Sequence, residues 1–234
     1  MQPELRTATT GMPGATQDFA LQQHKVLRNT YMLLALTMIP TVIGAAVGVS
    51  TDFSFLRGYP VMGPLLMLAV MIGLLFSVSR FRNSSVGVLL LLGFTFIAGW
   101  WLGPMLQMAL GFRNGPQLIG MAAGGTGAVF FAMASIATVT KKDFSFLGNF
   151  LFVGLIVLIV ASLANLFFQV PAASLAISAV GVLLFSLYLL YDVSRIVRGG
   201  ETNYIMATMA LFLDIYNLFI SLLHILMALT GQRD

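Results

Sequence analysis

Two aspartates stand where an apolar run should exclude them: Asp192 in SLYLLYDVSRI and Asp214 in LFLDIYNLFISLLHIL. A carboxylate at bilayer depth costs roughly 2.5 to 3.5 kcal/mol on insertion scales, so it faces a bundle interior or a water-filled cavity. At about 100° per residue, Asn217, Ser221 and His224 fall at about 300°, 340° and 280° relative to Asp214, forming one polar stripe on a helix. Ala207 and Ala210 extend that stripe with small side chains. A matching face precedes it, where Ser174, Ser178, Gly181, Phe185 and Tyr188 all lie within about 40° of Asp192, followed by Arg195.

The two faces belong to one hairpin if the chain turns around residues 199 to 203. Asp192 then lies about 13 Å before the turn centre and Asp214 about 20 Å after it, at ~1.5 Å per residue. About one helical turn separates them in depth, which side chains and a modest tilt close. Two carboxyls held together away from water cannot easily both ionise and tend to share a proton, which makes the pair a proton-sensitive switch. A cation alters that balance, and Arg80 or Arg82 at the end of the second apolar run is on the same side as Asp192 and is available as a latch. Simpler readings stay open. Asp192 beside Arg195 also reads as an interfacial cap, Ser174, Ser178 and Ser221 as helix-to-helix hydrogen bonders, and His224 as a bonded interfacial residue or a proton relay. Asn165, Trp100 and Trp101 read as packing and interface anchors.

The elements that position these residues follow from composition. Of 234 residues, 59% are apolar and 9% charged, and the mean hydropathy is +0.95, against roughly 25% charged residues in a soluble domain. The chain is an all-α integral membrane protein. Segments of about 20 apolar residues occur seven times, at about 29–50, 60–79, 86–109, 117–139, 146–168, 171–191 and 204–229, forming a transmembrane domain over 29–230. Residues 1–28 are expected as a flexible cytoplasmic tail, and their mixed polarity does not make a cleavable signal peptide. Nine of the twelve basic residues fall on one side of this arrangement, leaving Arg57, Arg113 and Arg233 on the other. Short cytoplasmic loops collect Lys and Arg, so the N-terminus is expected inside and the C-terminus outside. Gly44 with Gly48, Gly120 with Gly124, and then Gly125 and Gly127, predict close helix packing.

Several functions are set aside. With no cysteine and two histidines, thiolate and histidine-rich metal centres are excluded, and the basic residues form no patch with aromatics for nucleic acid. GGTG lacks the lysine and the strand-to-helix setting of a phosphate loop, and no G-x-S-x-G serine motif occurs. The lysines Lys25, Lys141 and Lys142 are all outside the last span, so a retinal Schiff base there is excluded. LLYD resembles half the signature of presenilin-like aspartyl proteases, but Asp214 follows Leu-Phe-Leu rather than G-x-G, and no P-A-L motif follows, which leaves an intramembrane aspartyl protease as a remote alternative. The expectation is therefore a non-enzyme without a bound cofactor.

The stretches HKVLRNTY, KKDFSFLG, SLYLLYDVSRI, GGETNYI and LDIYNLFISLL resemble the Bax inhibitor-1 family (TMBIM), in particular its bacterial YccA-like branch, over residues 24 to 230. The resemblance implies six helices around a central seventh and, in characterised relatives, a pH-sensitive calcium leak governed by a di-aspartyl pair. By motif match the pair is Asp192 and Asp214, with an arginine latch at the end of the second span, Arg80 or alternatively Arg82; Arg195, three residues after Asp192, is read as a latch residue as well. Some members of that branch lack one or both aspartates, so their presence here favours the leak over a purely regulatory role. The branch is also linked to the membrane protease FtsH as substrate and modulator, a role that would use the N-terminal tail. The expected protein is thus a multi-pass protein of the bacterial inner membrane. Asp192 and Asp214 would gate a cation path and touch calcium only transiently, since calcium wants six to eight oxygens. Asn217, Ser221, His224, Tyr188 and Ser178 would line or support that path.

Overall fold

A backbone that crosses a bilayer must satisfy its own hydrogen bonds, and a helix does so within one segment. A computed structural model describes residues 13–54, 58–140 and 142–230, the first eight as backbone only. Helix α1 spans Pro13–Ser50, α2 Met62–Arg80, α3 Ser85–Trp101, α4 Gly103–Leu110, α5 Gly115–Thr140, α6 Leu147–Phe168, α7 Pro171–Val197 and α8 Tyr204–Thr230. Seven segments are long and apolar enough to cross a membrane, with α3 and α4 together forming one of them, Ser85–Leu110.

Two boundaries differ from the sequence reading. The first helix begins at Pro13 rather than near residue 29, so part of the stretch expected as a flexible tail is helical. Residues 1–12, including Arg6, lie outside the described residues, as do Arg57, Lys141 and Arg233, on which part of the charge count rested. The third crossing is also broken at Leu102, because Pro104 stands in the first turn of α4 and has no N–H with which to continue the ladder of α3.

The turns carry their own chemistry. Gln169, with φ 51°, ends α6 in the left-handed region, and Asn165 holds this short link by accepting from the Val170 N–H (3.0 Å) and donating to Ser174 Oγ (2.6 Å). Pro171 then starts α7, where its missing N–H costs nothing. At the α7–α8 link, Gly199 takes φ 76°. Asn203 Oδ1 accepts from the N–H groups of Ile205 (3.1 Å) and Met206 (3.0 Å), capping α8. Its Nδ2 donates to the Arg82 carbonyl (3.0 Å) and Asn83 Oδ1 (2.8 Å), tying this link to the one between α2 and α3.

Packing divides the helices into two groups. Helix α1 lies along α3 and α4, while α7 and α8 form an antiparallel pair against which α5 packs. Helix α8 also meets α1 and α3 and touches α2, whereas α6 packs on α7 and α2 chiefly on α3. The glycine expectation holds for one half and fails for the other. Gly44 and Gly48 sit against the α3 backbone around Phe96 and Trp100, but a Cβ at Gly120, Gly124 or Gly127 would meet nothing within 4 Å. Those three lie on an outward part of α5, and Gly125 has ordinary contact with Leu222 (3.5 Å). Spacing alone reports that a close approach is possible, not that a neighbour makes one.

Candidate functional site: a polar seam between two helices

The facing polar rows on α7 and α8 meet in register. Toward the Gly199 end, the side chain of Asp192 reaches that of Asp214. Asp214 is 5% exposed, and its Oδ2 has no hydrogen-bond partner among the described residues. Tyr188 lies within electrostatic reach of both carboxyls and stacks on Phe185, with ring centroids 6.3 Å apart. Farther along, Gly181 faces Ser221, so closely that a Cβ at Gly181 would lie 2.6 Å from Ser221 Oγ. Ser178 Oγ and His224 Nδ1 are then joined across the seam at 2.7 Å. Asn217 is half-buried and donates to the Leu213 carbonyl of its own helix (2.8 Å), not across the seam.

The cation at the aspartate end is Arg195. Its guanidinium is 3.7 Å from Asp192 Oδ1 and 3.9 Å from Glu201, and it lies over the Tyr191 ring at 5.6 Å. Arg80 and Arg82 are both exposed, and among the described residues neither pairs with Asp192. The physical reason is placement: α2 packs on α3 and only touches α8, so its end does not lie along α7. The cation paired with Asp192 is Arg195, while Arg82 is engaged through its carbonyl by Asn203.

Sequence reasoning passed over several groups. Glu201 shares Arg195 with Asp192, and its place two residues before the Asn203 cap is the signal that puts it near the end of α7. Tyr216 Oη donates to the Ala98 carbonyl (2.9 Å), fixing α8 to α3. Thr208 Oγ1 reaches the carbonyls of Tyr204 (2.7 Å) and Thr30 (3.3 Å), the second of which fixes α8 to α1. Neither contact has a signature in spacing, because each depends on which helix is adjacent.

A third ion pair fastens the α5–α6 link to the end of α7, with Arg198 2.9 Å from Asp143. Hydrogen bonds from Ser145 hold the Asp143 carboxyl below its ordinary range, and Arg198 adds to this. A depressed carboxyl stabilises the fold above its unfolded pKa and loses that contribution as pH falls through the folded one. Removing the group by Asp143→Asn should therefore lower stability slightly at pH 7, by a difference that shrinks as the pH is taken down through the folded pKa, below the ordinary carboxylate range. The check is detergent-solubilised thermal unfolding at pH 7 and at successively lower pH; because the pair is exposed, the effect should be small.

Chemically, the aspartate end can hold a proton between two carboxyls and place a cation beside one of them. Among the described residues no group of three or more His, Cys, Asp and Glu is arranged to hold a metal ion. Comparison with known proteins supplies the lineage. A family model described as "Inhibitor of apoptosis-promoting Bax1" matches residues 23–231. The chain belongs to the Bax inhibitor-1 family. Within it, a membrane protein of Vibrio cholerae is 45% identical over 206 residues, covering 88% of this chain and 90% of that protein. An Escherichia coli relative named "Modulator of FtsH protease YccA" is 43% identical over 206 residues, covering 88% and 91%. A Neisseria meningitidis protein is 40% identical over 214 residues, covering 91% and 94%. This Bax inhibitor-1 family member is a multi-pass bacterial membrane protein.

Proposed function

We propose that this protein is a pH-sensitive cation leak pathway of the bacterial inner membrane, not an enzyme, with calcium as the permeant ion. The observation that carries the reading is Asp214, buried with one unpartnered oxygen, against Asp192. A buried carboxyl with so few partners costs several kcal/mol when ionised. Its protonation state is therefore tied to how closely α7 and α8 pack. In this reading α8 acts as the central helix, the N-terminus is cytoplasmic, and the Asp192–Asp214 pair closes the cytoplasmic end. Titration repacks α2, α7 and α8, with Arg195 as the cation that senses the change. Two carboxyls give calcium too few oxygens for a resident site, so the ion is cargo that passes, completed by water, carbonyls or Asn217. The test is calcium flux into liposomes holding the purified chain, measured across pH. A protein no leakier than empty liposomes at every pH would end the proposal.

A second reading is favoured by the relatives: the Escherichia coli protein at 43% identity is named a modulator of FtsH protease. In that role the N-terminal segment engages the protease, independently of the aspartates. Since α1 begins at Pro13, deleting residues 1–12 leaves that helix whole. The deletion should abolish co-purification with FtsH while the Asp214→Asn chain still co-purifies. Retained association after the deletion would exclude residues 1–12 as the contact.

A further inference from the structure

The polar seam does not stop at Ser178 and His224. Beyond them the last turns of α6, the first turns of α7 and the end of α8 line an open cleft of about 720 Å³. Its wall carries Ser162, Asn165, Gln169, Ser174 and His224 set among five apolar residues, with no charged side chain among its lining residues. Such a volume has room for on the order of twenty waters at about 30 Å³ each. Hydroxyl, amide and imidazole groups replace hydration bonds without holding an ion tightly, which suits a passage from which ions must leave. His224 sits at the inner boundary, its Nδ1 already bonded to Ser178.

Between this cleft and the aspartates the seam is shut. Gly181 is buried, Ser221 is 7% exposed and Phe185 is 7% exposed. The contact exists because Gly181 has no Cβ, which lets Ser221 Oγ close against the α7 backbone. Asn217 lies one turn beyond Ser221 toward the aspartates and is half-buried.

We infer that the α6–α7–α8 cleft is an aqueous vestibule for hydrated cations, and that the Gly181–Ser221 contact is the constriction separating it from the Asp192–Asp214 pair. The inference rests on the α7–α8 seam being the ion path, and it adds a second closure distinct from the aspartates. The chain has no cysteine, so each introduced thiol is the sole target in the molecule. In nanodiscs, where both faces are open, single-cysteine variants are exposed to a membrane-impermeant cationic methanethiosulfonate reagent. Ser174→Cys and Ala228→Cys, on two walls of the cleft, should react readily, and Asn217→Cys should be protected by at least about tenfold, since reaction needs a hydrated thiolate. Adding Ser221→Gly to Asn217→Cys, which removes the hydroxymethyl closing the seam, should restore most of that loss.

Cleft cysteines that react only after denaturation would show that lipid fills the cleft and would overturn the vestibule. Asn217→Cys reacting as fast as Ser174→Cys in the otherwise native chain would overturn the constriction, as would protection that survives Ser221→Gly. Labelling reads water access, not transport. An inert chain in the liposome assay with this labelling pattern intact would remove the leak while leaving the vestibule in place.

Discussion

Asp214→Asn should flatten the pH dependence of calcium flux. A group coupled to a gate by one unit of pKa supplies about 1.4 kcal/mol, a factor of about ten in the open-to-closed ratio. The native chain should accordingly change its flux by at least about tenfold across the transition. The asparagine variant should change by less than about twofold. The substitution is nearly isosteric, so packing is kept around a side chain that is 5% exposed. What it removes is one of the two carboxyls: an amide in its place can donate to Asp192, which has Arg195 at 3.7 Å. Asp192→Asn should flatten the profile too, but by another route. It leaves Arg195 to Glu201 and leaves Asp214 facing an amide. If flux is present and both variants keep the native profile, the pair is a fastening between two helices and the gate lies elsewhere.

The pairing of these aspartates was legible because it needs only helix periodicity and the position of a hairpin turn. The α7 face read from Ser178, Gly181, Phe185 and Asp192 does meet the α8 stripe, with Ser178 on His224 and Gly181 on Ser221. What spacing cannot carry is the identity of a third element. Arg80 and Arg82 share a side of the membrane with Asp192, which fixes depth but not azimuth; α2 packs chiefly on α3, and the arginine paired with Asp192 is Arg195. Asn217 shows the converse limit. Its place on the stripe is as expected, yet its amide is satisfied by the Leu213 carbonyl four residues back, an option open to any polar residue inside a helix. The break at Leu102 was present in the sequence as Gly103-Pro104, hidden by the unbroken hydropathy of the run around it.

If α7 and α8 shift as the pair titrates, something must stay still, and the α1–α3 seam is built to do so. A Cβ at Gly99 would strike the Thr41 carbonyl, with Thr41 Cα at 3.0 Å, and one at Gly44 would lie 2.9 Å from the Trp100 nitrogen. These are backbone atoms, which cannot rotate away as a side chain can. The seam is closed further by Trp100 Nε1 donating to Thr51 Oγ1 (3.0 Å) and by Gln107 Nε2 donating to the carbonyls of Gly48, Val49 and Thr51 at 3.2, 2.9 and 2.8 Å. Helix α8 is tied to this unit through Tyr216 on the Ala98 carbonyl and Thr208 on that of Thr30. Gly99→Ala and Gly44→Ala should each cost about 1 to 3 kcal/mol by overpacking, more if the backbones must part. Gly124→Ala, with nothing within 4 Å of its Cβ, should be neutral or gain up to about 1 kcal/mol of helix propensity. Thermal unfolding of the three variants in one detergent decides this. Gly99→Ala and Gly44→Ala should melt several degrees below the native chain, and Gly124→Ala at or above it. Equal tolerance at all three positions would mean that α1 and α3 are not in backbone contact, and α8 would then have no fixed wall to move against.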